Sequence, residues 1–353
     1  MKTLPNLNPL RFLLAFLVIL FHVPQFFSNR GLPYFNDLPV FNKGTEAVYV
    51  FFALSGFLIV RLLYHEKIES KNINVRHFYM RRILRIFPLY FVVLSLGLFY
   101  YNVFLDYVGF DIDQTYNIIE VLVLYTFFLP NVGAILHEPG GALEILWSIG
   151  IEEQFYIMVA PAIFLLHKNY ILPFFVMFTC VYFFLFSSEY FSFLAKFNFL
   201  YFYLSAGGVV SLLDIKYRLG DKLKKYHKVI AIVLFVLYFN VDFQHLSRTT
   251  IHLMGLILFP ITILSLSVSP LFSIKSKFMN HLGKISYGIY MYHAFAIQMV
   301  GFLILQLNSI QILPSSVLIF LSFFLVTTIT ILIAHISYVF FEKKLISLKK
   351  RYR

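Results

Sequence analysis

The sequence predicts an all-α integral membrane protein of about ten transmembrane helices, with both termini cytoplasmic and one polytopic domain over residues 1–353. Three observations carry this. The chain is 60% hydrophobic and 13% charged, where an average soluble domain carries about 25% charge. Apolar runs approaching the roughly 20 residues needed to cross a bilayer recur along its whole length. The charges are also sorted. With the spans given below, 25 of the 29 Lys and Arg fall in one set of connecting segments, the exceptions being Arg30, Lys43, Lys196 and Arg248. Of the 17 acidic residues only Glu66, Glu69, Asp214, Asp221 and Glu342 share that set. Basic segments stay inside, which fixes the orientation.

The spans follow in order. The first, 10–28, carries Arg11 at its inner edge and is followed by Ser28-Asn29-Arg30. That is not a small-residue cleavage site, so the run is a span and not a cleavable signal. The second, 44–64, leads into an inner loop holding Arg61, Lys67, Lys71, Arg76, Arg81, Arg82 and Arg85. The third, 83–104, leads into the outer loop 105–144, which has Asp106, Asp111, Asp113, Glu120, Glu138 and Glu144 but no Lys or Arg. Inside that loop, Asn117 to Pro130 is apolar but too short to span, and is expected to be re-entrant or interfacial. His137-Glu138-Pro139-Gly140-Gly141 reads as a turn. Spans 145–166, 170–187 and 197–213 follow, then a basic loop 214–228. A short span at 228–241 and longer ones at 251–271, 285–306 and 315–341 lead to the basic tail 342–353. An even number of spans is required to keep that tail inside.

Composition also excludes function classes. The single Cys180 lies in an apolar run, so neither a disulfide framework nor a thiol metal site is expected. No metal cluster is expected anywhere. The net charge of +12 is distributed as positive-inside loops rather than as a nucleic-acid footprint, and no nucleic-acid partner is expected. No internal repeat is visible, which argues against a two-fold transporter. Phe and Tyr number 44 and 24, and lipid-facing packing and interfacial belts account for most of them.

Ionisable groups inside spans cost at least about 2.5 kcal/mol on insertion scales, so each needs a reason. His22 stands eleven residues after Arg11, about 16 Å further along a helix axis, past the midplane towards the outer side. Pro24 disturbs the helix beside it. The imidazole is either satisfied by a backbone carbonyl or functional. The segment Trp147-Ser148-Ile149-Gly150-Ile151-Glu152-Glu153-Gln154-Phe155-Tyr156 opens the fourth span from outside. Its carboxylates point about 100° apart, so one can face a cavity while the other meets the interface. Ser148 and Glu152 share a face. At the inner mouth of the third span, Arg82 and Arg85 share a face, as do Arg81 and Arg85. Such forks bind phosphate, or they anchor the helix at the membrane surface. Phosphate-binding groups inside and a His with a carboxylate further out suit a cytoplasmic phosphorylated donor and an outer acceptor hydroxyl.

These residues resemble the acyltransferase 3 family of integral membrane O-acyltransferases. The likeness runs in order through Arg11 to His22, Phe51-Phe52-Ala53-Leu54-Ser55-Gly56-Phe57-Leu58-Ile59, Arg81 to Tyr90, Trp147 to Tyr156, and Ile285-Ser286-Tyr287-Gly288-Ile289-Tyr290-Met291-Tyr292-His293. Glu342-Lys343-Lys344 departs from the family's usual Glu, basic, Pro ending. The chain looks like the kind without an extra C-terminal extracytoplasmic domain. The resemblance implies transfer of an acyl group, commonly acetyl from acetyl-CoA, to a hydroxyl of a surface polysaccharide, lipid-linked glycan or glycolipid at a bacterial inner membrane. It implies His22 as base, with Glu152 orienting or charge-balancing it. It also implies Arg81, Arg82 and Arg85 on the coenzyme A phosphates, with Arg11 structural or donor-binding. Ser148, Tyr156 and Tyr287 are candidates to line the acceptor site. Ser55-Gly56 either allows close helix approach or lines the acyl channel directly, and His293 has either a donor-site or a structural role. The competing expectation is a glycan transporter or flippase without acyl transfer.

Overall fold

A computed structural model describes residues 4–109, 116–243, 245–269, 276–309 and 313–352. Among them the chain is helical, with no strand. The principal helices are α1 (Leu7–Ser28), α2 (Gly44–Glu69), α3 (Val75–Phe99), α4 (Ile118–Thr126), α5 (Pro130–His137), α6 (Trp147–Leu165) and α7 (Ile171–Ser187). They continue with α8 (Tyr201–Tyr217), α9 (His227–Ile232), α10 (Arg248–Val268), α11 (Lys277–Lys284), α12 (Ser286–Ser309) and α13 (Ser315–Ser337).

Among the described residues seven helical stretches are long and apolar enough to cross a bilayer: Leu7–Ser28, Gly44–Glu69, Val75–Tyr107, Gly141–Leu165, Arg248–Val268, Ser286–Asn308 and Ser315–Tyr352. An eighth arises if α7 is joined to Glu189–Lys196 across its 89° bend. The remaining two expected spans fall on shorter helices. The 17-residue α8 is one. The six-residue α9, which continues as a wide π turn over Val233–Tyr238, is the other. The Asn117 to Pro130 segment forms α4, only nine residues long, and α5 packs against it through Gly133, where a Cβ would lie 2.7 Å from the Tyr125 ring. The turn expected at His137 to Gly141 is present, with Glu138 and Gly140 both at positive φ.

Local chemistry explains where the helices begin. Asn74 caps α3 by accepting from the His77 amide at 2.9 Å, and Asn117 caps α4 at the Ile119 and Glu120 amides. Ser247 and Ser276 do the same for α10 and α11. Each satisfies amides that a helix start otherwise leaves without partners. Pro24 does not end α1, which runs on to Ser28. A proline inside a helix removes one amide donor, a loss that membrane helices tolerate when neighbours re-satisfy the freed carbonyl.

The chain divides into two compact units. One comprises Met1–Leu58 with Ala206–Tyr338, the other Ile59–Ser205 with Val339–Arg353. In the first, α1 packs against α10, α11, α12 and α13, and α12 runs along α13. Two glycines set its tightest approaches. A Cβ on Gly207 of α8 would lie 2.0 Å from the Ala53 carbonyl oxygen of α2, and one on Gly283 would lie 2.1 Å from the Asn8 carbonyl oxygen. Close approach near Ser55-Gly56 was one of two expectations there, and it is Gly207 that admits the Ala53–Phe57 backbone.

In the second unit, α3 packs on α6 and on the C-terminal turns, while α5 lies against α4 and α6. The C-terminus of α6 is covered by Lys67, whose ammonium donates to the Ile163 and Phe164 carbonyls at 2.8 and 2.7 Å. A cation on the last carbonyls also meets the negative end of the helix dipole. Lys67→Met is expected to lower stability by about 1 kcal/mol, read as a lower unfolding midpoint in detergent.

Candidate active site

In the first unit, His22 sits near the end of α1. Its Nδ1 lies 3.1 Å from Gln25 Oε1, one turn on. An amide oxygen only accepts, so Nδ1 carries the ring proton and Nε2 keeps its lone pair. The His22 ring stands 5.2 Å from that of His293 on α12, centroid to centroid, inclined by 32°. His293 is fully buried. Its Nδ1 donates to the Tyr290 carbonyl, and its Nε2 has no hydrogen-bond partner. The two imidazoles thus share one tautomer, each with a basic Nε2, and the first described partner of the expected base is an amide and not a carboxylate. Arg11 Nη1 donates to Asn8 Oδ1 at 3.4 Å. Tyr287 is half-buried at the start of α12.

In the second unit, Glu152 Oε2 accepts from the Tyr156 hydroxyl at 2.8 Å, an i to i+4 contact along α6. Ser148, on the same face, is buried and donates to the Ile145 carbonyl at 3.5 Å. The neighbouring Glu153 is 5% exposed, and its Oε1 has no hydrogen-bond partner. Arg82, whose Nε is likewise buried without a partner, is close enough to attract it. With no hydrogen bond at either atom, that attraction offsets only part of the cost of burying the two groups. Gln154 is fully engaged: its amide nitrogen donates to the Phe128 carbonyl at 2.6 Å and to Asn131 Oδ1 at 2.9 Å, and its oxygen accepts from the Tyr201 hydroxyl.

Arg81 is also engaged. Nη2 pairs with Glu66 Oε2 at 3.2 Å, and Nη1 donates to the Tyr352 carbonyl at 2.7 Å. Arg81, Arg82 and Arg85 stand in one electrostatic neighbourhood, which Lys349 of the C-terminal turns joins. Among the described residues no group of three or more His, Cys, Asp or Glu is placed to hold a metal.

The structure therefore brings together Glu152 with Tyr156, and Arg81 with Arg82 and Arg85. His22 belongs to one unit and Glu152 to the other. Sequence reasoning missed Gln25, the meeting of His22 with His293, the buried Glu153, and Lys349. Gln25 had a signal, being one turn from His22. The others depend on chain segments meeting in space.

The family model for an acyltransferase domain, acyltransferase 3, matches residues 4–335. The chain belongs to the acyltransferase 3 family. Among similar proteins is the peptidoglycan O-acetyltransferase OatA of Listeria monocytogenes, 27% identical over 178 residues, which are 48% of this chain and 25% of that protein. Another is the O-acetyltransferase OatA of Staphylococcus aureus, 26% identical over 169 residues, 47% of this chain and 26% of that protein. The aligned part thus spans about a quarter of the length of these relatives. No solved structure matches the chain.

Proposed function

We propose that this acyltransferase 3 protein is a membrane O-acyltransferase. It moves an acyl group, acetyl from acetyl-CoA, to a hydroxyl of a surface polysaccharide, a lipid-linked glycan or a glycolipid. The proposal includes ten spans and cytoplasmic termini, on the charge sorting described above, and a bacterial inner membrane, on the family resemblance alone. The observation that carries the chemistry is the bonding of His22: with Nδ1 occupied by Gln25, the free lone pair sits on Nε2.

In the proposed reaction, His22 Nε2 takes the proton of the acceptor hydroxyl as its oxygen attacks the thioester carbonyl. A C–O bond forms, the C–S bond breaks, and the departing thiolate of coenzyme A takes that proton from the His22 imidazolium to become the thiol, which restores the base. Glu152 balances the charge of the imidazolium that forms. Arg81, Arg82 and Arg85 hold the coenzyme A phosphates as charged forks, and Arg11 supports donor binding or the inner end of α1. Ser148, Tyr156 and Tyr287 line the acceptor site. A relative named for O-acetylation of peptidoglycan is what favours a glycan acceptor.

The test is ester analysis of surface glycan from cells carrying the wild-type chain, no chain, or His22→Ala at matched membrane levels. An ester present only with the wild type supports the proposal, and its mass names the acyl group. An unchanged ester with glycan retained inside would favour transport without acyl transfer. A second substitution probes the carboxylate. Tyr156→Phe removes the hydroxyl bonded to Glu152, and is expected to lower the rate of ester formation roughly tenfold, the worth of one hydrogen bond to a charged group. A rate equal to wild type would remove Tyr156 from the site.

A further inference from the structure

The C-terminal turns and the arginines of α3 come from distant parts of the chain and meet in the second unit. The helical turn Leu348–Tyr352 packs along α3. The Tyr352 carbonyl accepts from Arg81 Nη1 at 2.7 Å, and the Tyr352 ring meets His77 edge-on with centroids 5.7 Å apart. These two contacts set Lys349 beside the arginines, near enough that the charges of Arg85, Arg82 and Arg81 all act on its ammonium. Lys349 is half-buried. Carboxylates that meet this group include Glu66, paired with Arg81, and Glu153, near Arg82.

Burial disfavours the charge on Lys349 first of all, and the three arginines gathered beside it disfavour it further by repulsion that partial burial strengthens. Positive-inside anchoring does not require that convergence, because anchoring cations spread along the membrane surface and reach into water. A multiply charged anion would offset the repulsion and make use of the Arg forks together with a lysine point charge.

We infer that Lys349 is a fourth phosphate-binding cation beside Arg81, Arg82 and Arg85, and that the Arg81–Tyr352 bond fixes the C-terminal turn as one wall of this polyphosphate site. This rests on the proposal that the donor is a coenzyme A thioester, and it assigns the tail a part in holding that donor. The same phosphate chemistry is offered by lipid headgroups, so the test must separate the two sources.

The test uses the full chain in nanodiscs of phosphatidylcholine, with coenzyme A as the probe in calorimetry and acetyl-CoA in turnover. Lys349→Gln is expected to weaken coenzyme A binding and raise KM for acetyl-CoA, each about tenfold, and Lys349→Arg to restore both. Arg85→Gln reports on the donor proposal by itself. If Arg85→Gln weakens binding while Lys349→Gln leaves it unchanged, the role of Lys349 is overturned and the donor proposal stands. If neither weakens it, both fall. If Lys349→Gln spares coenzyme A binding but abolishes retention of anionic phosphatidylglycerol in native mass spectra, the fourth cation serves a lipid headgroup and the inference is overturned. Loss of binding in Lys349→Gln with no rescue by Lys349→Arg, together with a lowered unfolding midpoint, would make Lys349 a structural residue and overturn it as well.

Discussion

His22→Ala is expected to lower ester formation by a factor of about 10²–10⁴, the usual contribution of a positioned general base, while leaving the protein folded and inserted. The argument is local. A hydroxyl attacks a thioester poorly while it keeps its proton, and the imidazole Nε2 of His22 is the group with a free lone pair, because Gln25 Oε1 holds the Nδ1 proton. The side chain is half-buried near the end of α1, while Leu14, Ala15, Val18 and Ile19 on the same helix are buried without it. Folding should therefore survive the change, and a matched gel-filtration profile would establish that. His22→Gln keeps the size but has no comparable basicity, and should be as inactive as alanine. Gln25→Leu is the finer probe: it frees the Nδ1 proton without touching the base, so it should cost less than His22→Ala. Wild-type ester levels in His22→Ala would remove the proposed mechanism.

Gly207→Val is expected to prevent stable folding of the first unit. A Cβ at this position would stand 2.0 Å from the Ala53 carbonyl oxygen and 2.9 Å from the Phe57 amide nitrogen. Both are backbone atoms of α2, and no rotamer change can move them aside. Helices in membranes associate through small residues that let backbones approach, and overpacking of a tight contact costs typically 1–3 kcal/mol or more. Valine adds two methyl groups beyond that Cβ, so the whole of α8 must shift. Low membrane yield or an aggregated species in detergent is the expected observation. Gly207→Ala should show the same defect in milder form, and a wild-type unfolding midpoint for Gly207→Ala would show that the contact is looser than 2.0 Å implies.

The membrane class was legible because it follows from composition, and so was the order of the long helices. The expected span at 10–28 matches α1, and that at 44–64 starts where α2 starts. Boundaries failed where helix and hydrophobicity part company. The third helix begins at Val75, eight residues ahead of the expected span, because Arg76, Arg81, Arg82 and Arg85 lie on its polar first turns. Apolar content marks the part of a helix suited to lipid, whereas the helix itself starts at its cap, Asn74. The short α8 and α9 show the opposite limit, since a 17-residue helix carries the hydropathy of a span without its length.

For the site, residue type and spacing raised His22, the Glu152–Glu153 pair and the arginine cluster as candidates, and the family resemblance supplied their proposed roles. The same spacing rule, applied on α6 only to Ser148 and Glu152, also covers the Tyr156 contact that the structure shows, because i and i+4 meet on any helix. What spacing does not contain is the meeting of α1 with α12 that puts His293 beside His22, or of the C-terminal turn with α3 that brings up Lys349. Glu153 was given no role of its own beside Glu152, and burial is what draws attention to it.

The engagement of Gln154 has a consequence for how the second unit opens. Its amide joins the Phe128 turn, Asn131 of α5 and Tyr201 of α8, and Asn131 in turn donates to the Phe197 carbonyl at 2.8 Å. Helices as short as α4 and α5 are not stable alone. Bound to one amide, they cannot fray separately: freeing any one strands polar groups on the others in an environment that lacks water. Opening should then be all-or-none over Ile118–His137 and the first turns of α6, and the amides of these segments should exchange with solvent deuterium at a common slow rate.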